Sequence, residues 1–279
     1  MDEQSENRRI KSLESLSALK VLFLDTMEKG LEIAPRGQVI KELLNATIVI
    51  RPEFPFQTFL NRNYSIEYFK KEMLWKLGAS KYDDSIKSAA KMWESVQNPD
   101  KSFNSNYGQY WFGQQMGLMK AVLELIRDKD SRRASIPMLR DEHLSPETTD
   151  TVCTEAVTFH IRENLLWTSV HMRSSDQIFG LGTDLPTFSV LAHLALGLLR
   201  PYYGGIGLGP MMLTAASSHI YSRHFRMVED VLTENIAECA TVGIPMINSA
   251  AEAMAIIAHR GKKQKVPDAW RLYEFIYGQ

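Results

Sequence analysis

The sequence predicts an α/β fold of the α+β kind, in which helices pack on a mixed, mainly antiparallel sheet. Three observations carry that expectation. Apolar residues recur at helical spacing in several stretches, β-rich segments lie between them, and a short polar break joins two of these segments as a hairpin.

The first helix is expected over residues 13–27, where Leu13, Leu16, Leu19, Phe23 and Met27 fall every three or four positions and line one face. The same period predicts helices over 65–77, 82–96, 114–127, 187–199, 223–236 and 249–259. β-branched and aromatic enrichment predicts strands over 45–51, 155–161, 166–172 and 211–221. The two central strands meet at Arg162-Glu163-Asn164, which is short enough for an antiparallel hairpin. With no internal repeat, long linker or low-complexity tract, residues 1–279 are expected to form a single domain.

Thirty-two basic residues against thirty-three acidic ones give a net charge of −1, so no global field favours a polyanion, and direct nucleic-acid binding is not expected. Two cysteines, Cys153 and Cys239, suit a reducing compartment and argue against a disulfide framework. The charged start MDEQSENRR has no apolar signal core, and no run of eighteen apolar residues occurs. The expected location is the cytoplasm, with no membrane partner. The Gly-rich stretch from Tyr202 to Pro210 follows a helix and leads into a strand, the wrong order for a dinucleotide fingerprint, and reads as a connector. His219 and His224 are five apart and no paired Cys/His spacing occurs, so no metal site is expected. The basic run from His259 to Lys265 reads as a solvated loop.

The segment from Cys153 to Asp184 is the informative one. A hairpin turning about Glu163 sets Cys153 opposite Arg173, whose guanidinium would favour thiolate over thiol. A lone cysteine without such a neighbour is more simply a small buried hydrophobe.

Cys153 followed by Met172-Arg173-Ser174-Ser175-Asp176, with Asp184 eight residues further on, resembles the active-site region of the thymidylate synthase family. Further blocks stand in the family's order over about residues 36 to 230: Glu72-Met73-Leu74-Trp75, Trp93, Asn106-Tyr107-Gly108, Asp130-Ser131-Arg132-Arg133 and His219-Ile220-Tyr221. Within the family the likeness is to the deoxycytidylate hydroxymethylases of T-even phages, carried by Ser105-Asn106-Tyr107-Gly108, Cys153-Thr154, Met172-Arg173-Ser174 and Tyr221-Ser222-Arg223-His224-Phe225. Thr154, Met172 and Asp184 replace the His, Gln and Asn of true thymidylate synthases.

The resemblance implies a homodimer formed through the sheet face with shared active sites, 5,10-methylenetetrahydrofolate as cofactor, and a cytosine nucleotide as substrate, dCMP above all. It makes Cys153 the nucleophile, Glu72 the acid that organises water, and Tyr107 a participant in proton transfer. Arg36, Arg173 and Ser174 become phosphate ligands, joined by Arg132 and Arg133 from the second subunit; paired guanidinium donors suit phosphate oxygens. His219 and Tyr221 take the sugar 3′-hydroxyl, Trp93 walls the folate site and Asp176 anchors the pterin. Asp184 becomes the base reader. An Asn there donates to the uracil carbonyl at position 4 and accepts from the ring N–H, whereas a carboxyl accepts from the cytosine amino group and, when protonated, donates to the unprotonated ring nitrogen. Each residue has a plainer reading as surface charge, cap or core. Two questions stay open at this level: a hydroxymethyl or a methyl product, and deoxyribose or ribose. The terminal IYGQ departs from the family's hydrophobic tail.

Cys153→Ala should abolish turnover while leaving nucleotide binding measurable by calorimetry, and Cys239→Ala should leave the rate near that of the parent. Near-parental turnover by Cys153→Ala would remove covalent catalysis at this position.

Overall fold

The computed structural model describes residues 3–278. Along the chain run α1 (Glu3–Lys29), β1 (Leu31–Ile33), β2 (Ile40–Ile50), α2 (Ile66–Gly78), α3 (Met92–Val96), α4 (Gly108–Trp111) and α5 (Gly117–Arg127). They are followed by β3 (Ser135–Pro137), β4 (Thr154–Arg162), β5 (Leu165–Asp176), α6 (Gly180–Leu199), β6 (Gly207–Tyr221), α7 (Phe225–Thr233), α8 (Ala250–Ala258) and α9 (Arg271–Tyr277). The strands hydrogen-bond in the order β1-β2-β6-β5-β4-β3. β1 with β2, β2 with β6, and β3 with β4 are antiparallel. β5 and β6 run parallel: the Asn164 carbonyl accepts from Gly207 N (3.1 Å) at their start, and Gln177 N donates to the His219 carbonyl (2.8 Å) at their end. Parallel neighbours need a crossover, and α6 supplies it. The sheet is therefore mixed and mostly antiparallel, as expected.

The chain forms two compact units, each assembled from three separated segments. The first comprises residues 1–65, 169–190 and 209–244. Its core forms where α1 lies on β2, burying Leu16, Leu19 and Phe23 with Ile48 and Ile50, and the Phe23 and Phe59 rings meet at 5.9 Å. The second comprises residues 66–168, 191–208 and 245–279. There α2 packs on α4 and α9, burying Phe69, Met73, Trp111, Leu272 and Ile276.

The hairpin is where the sequence puts it, with a different register. Glu163 and Asn164 both have positive φ (51° and 57°), the signature of a two-residue type I′ turn, so Arg162 and Leu165 flank the turn. This moves the pairing one residue from a register centred on Glu163. The helix expected over 82–96 is not continuous: a single turn at Ser85–Ser88 is followed by α3. Packing explains the break, because Ile86 and Trp93 both reach the cluster around Trp75 and Phe103. β1, β3, α4 and α9 carry no expectation, the first three being too short for a period to declare itself. α9 brings the end of the chain into the second unit's core, with Tyr273 and Tyr277 stacked at 4.3 Å; of IYGQ, Gln279 lies outside the described residues, as do Met1 and Asp2 of MDEQSENRR.

α6 begins seven residues before its apolar period does, and it contains Pro186. Long and apolar enough to cross a membrane by length and composition, it is a core helix, with 94% of that window buried. Pro186 has no N–H to give the Gly182 carbonyl one turn earlier. The Tyr64 hydroxyl donates to that carbonyl instead, at 2.8 Å. Tyr64→Phe removes the replacement donor and should lower stability by about 1–2 kcal/mol in denaturant unfolding, with an unchanged m-value.

Candidate active site

In the first unit the candidate residues gather where β5 ends, α6 begins and β6 runs alongside. Asp176 closes β5, and its Oδ1 accepts from Ile178 N at 2.9 Å. The following backbone is held from one side. The Arg62 guanidinium donates to the Ile178 carbonyl (2.7 Å) and to Gln57 Oε1 (2.9 Å), while Gln57 Nε2 donates to the Gln177 carbonyl (2.9 Å). Burial lowers the Arg62 pKa, against the opposing charges of Tyr64 and Asp176. Asp184 lies in the opening turns of α6 and is 7% exposed. A Cβ added at Gly180 would stand 3.5 Å from Asp176 Cβ and 3.8 Å from Asp184 Oδ2, so both acids border Gly180.

His219 and Tyr221 project from β6 and meet edge to face at 5.1 Å. His219 is buried, and its Nδ1 has no hydrogen-bond partner among the described residues. Burial pulls its pKa below 6.5; Asp176 and Glu42 oppose that pull, and Arg223 and Arg36 add to it. Arg36 is exposed, on a turn where its own φ is 53°. Arg223 lies over the Tyr221 ring at 4.0 Å. Arg173 and Ser174 are half-buried on β5.

In the second unit Glu72 is buried on α2 and pairs with Lys76 one turn later, Nζ to Oε1 at 2.6 Å. The Lys76 ammonium also sits 4.9 Å from the centroid of the Tyr107 ring. Gly108 is required here, because any Cβ would lie 1.6 Å from the Lys76 carbonyl oxygen. Asn106 is wholly buried and donates to the Trp75 and Ser80 carbonyls, tying the loop before α4 to the end of α2. Trp93 is 6% exposed, packs on Trp75 and Phe103, and donates to the Tyr68 hydroxyl at 3.0 Å.

Cys153 is half-buried, immediately before β4. The loop leading to it is fixed by Asp150, which accepts from Ser105 N (2.8 Å), and by Asn98 Oδ1, which accepts from Thr149 N and Asp150 N. Cys239 is buried in the first unit and donates to Glu234 Oε2 at 3.6 Å; burial, followed by the Glu234 charge, pushes its thiol pKa up, which disfavours the nucleophilic thiolate. Arg132 and Arg133 are exposed and lie with Glu124, Arg127, Asp128, Asp130 and Ser131 around an open surface cavity of about 670 Å³. Among the described residues neither guanidinium has a carboxylate within ion-pair distance, and no group of three or more His, Cys, Asp or Glu is placed to hold a metal.

Residues 38–258 match the family model described as thymidylate synthase. The chain belongs to the thymidylate synthase family. It is 28% identical over 221 residues to the deoxycytidylate 5-hydroxymethyltransferases of Enterobacteria phages T4, T2 and T6, an alignment covering 75% of this chain and 86% of each phage protein. Of the candidate residues only Arg36 lies outside the thymidylate synthase match, two positions before it. Three residues that support these candidates, two in the first unit and one in the second, escape a reading of the sequence. Arg62 and Tyr64 sit in a loop without periodicity, and Lys76 looks like the outer half of an ordinary helical Glu–Lys pair.

His143, His160, His219 and His224 all have pKa values lowered chiefly by burial. Unfolded histidines take up protons near their ordinary pKa of about 6.5, which the folded ones resist, so stability is greatest above that value and declines as pH falls through it. The melting temperature should therefore drop between about pH 7.5 and pH 5.5, and His219→Asn should reduce the drop. Calorimetric scans of both proteins across that range check it.

Proposed function

We propose that this member of the thymidylate synthase family converts dCMP to 5-hydroxymethyl-dCMP. Family membership supports one-carbon transfer to a pyrimidine nucleotide, and the likeness to the phage hydroxymethyltransferases supports cytosine and water as the finer choices. One observation carries the reading: position 184 is an acid, and it is buried. A carboxyl at this position matches cytosine on both counts, accepting from its amino group and, when protonated, donating to its ring nitrogen.

Cys153 is the proposed nucleophile, adding to carbon 6 so that carbon 5 becomes nucleophilic. The one-carbon unit comes from 5,10-methylenetetrahydrofolate. Asp176 fits a pterin, because Oδ1 is taken by Ile178 N and Oδ2 has no protein partner among the described residues. Trp93 fits as a wall through the small part of its surface that stays exposed. Asp184 accepts from the 4-amino group and, carrying a proton, donates to ring nitrogen 3, stabilising charge as sulfur attacks. Glu72 organises water and Tyr107 assists proton transfer. Arg36, Arg173 and Ser174 hold the phosphate, and His219 with Tyr221 the 3′-hydroxyl. Water adding to the exocyclic methylene on carbon 5 gives the hydroxymethyl product, and hydride addition would give 5-methyl-dCMP.

A homodimer with shared sites belongs to the same proposal. The exposed Arg132 and Arg133 would serve the partner's phosphate. The paired Val49 and Met212 support the sheet face as interface, Val49 being 50% exposed on a strand.

Asp184→Asn should lower kcat/KM for dCMP and raise it for dUMP. Leaving one buried polar contact unsatisfied costs roughly 1–3 kcal/mol, about tenfold to a hundredfold in discrimination. Steady-state kinetics on both nucleotides with the same folate is the test. A parental preference for dUMP, or equal loss of both activities in the variant, would overturn Asp184 as base reader.

A further inference from the structure

Lys76 has no assigned part in the reaction, yet it is one of the most deeply buried charges in the protein. Its side chain is 2% exposed and that of its partner Glu72 is 6% exposed. A Glu–Lys pair one helical turn apart normally lies on a solvated face, where it contributes little. Burial changes the balance, because both ions lose their hydration, and an apolar pair of similar volume is often at least as stable. Fold stability alone therefore does not account for a lysine here. Its contacts point elsewhere: the ammonium donates to Glu72 Oε1 at 2.6 Å and faces the Tyr107 ring at 4.9 Å. It thus joins the two residues to which water and proton handling are ascribed. α2 and α4 hold the three together, since the Lys76 carbonyl leaves no room for a side chain at Gly108, next to Tyr107.

We infer that Lys76 is a positioning residue that fixes the Glu72 carboxylate for activation of water and so favours the hydroxymethyl product. This rests on the proposed chemistry and deepens it. With Oε1 engaged by Lys76, Oε2 is the oxygen left to accept a proton from water. As the water oxygen bonds to the exocyclic methylene carbon, its proton passes to Glu72. The methylene electron pair moves to restore the bond between carbons 5 and 6, and the Cys153 thiolate leaves. A Glu72 free to rotate would meet this geometry only part of the time.

The test is a double-mutant cycle of K76M, E72Q and E72Q/K76M, with two readouts. One is the rate and mass of the folate-dependent product. The other is exchange of the carbon-5 hydrogen of the nucleotide with solvent in the absence of folate, which requires only reversible thiolate addition and proton transfer. K76M should slow both by roughly a hundredfold, with nucleotide KM changing less than about threefold. On the E72Q background K76M should add less than about threefold, because Lys76 acts through Glu72. Parental rates in K76M, or losses that multiply across the cycle, would overturn the inference. K76M leaves Glu72 buried without its counter-ion; should it not fold, K76Q, which keeps a donor without the charge, is read by the same criteria, and E72Q/K76M against E72Q stands without either. Running dCMP and dUMP in parallel separates the two readings: a parental preference for dUMP counts against the cytosine assignment alone, and the cycle is then read on the nucleotide turned over.

Discussion

The passage from β5 into α6 depends on a buried arginine. Arg62 reaches the Ile178 carbonyl directly and the Gln177 carbonyl through Gln57, and it packs against the Tyr64 and Phe179 rings. Tyr64 completes the support by meeting the carbonyl that Pro186 leaves open. A strand end and a helix start both carry backbone groups without regular partners, and here side chains from one loop supply three of them. Asp176 and Asp184 lie at the two ends of this supported stretch, so the direction of each carboxyl follows from the loop that holds the backbone between them. Proline in the helix and tyrosine in the loop are complementary parts of one arrangement.

Local regularity was legible in the sequence wherever an element is long and faces one environment. α1, α2, α5, α7 and α8 all appear where the apolar period puts them, α1 extending further at both ends. The hairpin was legible from its polar break, but its register was not, because Glu163 and Asn164 both adopt left-handed backbone and the turn is two residues wide. The early start of α6 was hidden because Gly180-Leu181-Gly182-Thr183 has poor helix propensity, and tertiary contacts to Gly182 override it. Short β1 and β3 take their form from pairing with β2 and β4, which is long-range information.

The candidate site was legible as a set of residue types in order, through resemblance. Its physical support was not. A Glu and a Lys four apart on a helix read as a surface pair, and only the packing of α2 reveals that both are buried. Cys239 is a contrasting case: its residue type invites comparison with Cys153, and burial beside Glu234 makes it a poor nucleophile. Trp93 illustrates how one side chain can serve two readings, since its indole is nearly all core while its N–H is committed to Tyr68.

The packing of α2 on α9 bears on how the chain acquires its structure during synthesis. Phe69 of α2 meets Phe275 of α9 at 6.5 Å, and the backbone N–H of Tyr273 is received by the buried Glu252 carboxylate of α8. The contact of Phe69 with Phe275 closes a loop of some two hundred residues. Until residues 271–277 have emerged from the ribosome, Phe69 of α2 lacks its Phe275 neighbour and Glu252 Oε1 lacks its Tyr273 donor. The second unit can thus become native only once α9 has been made, and a chain stalled before α9 would expose surface of the kind that chaperones retain.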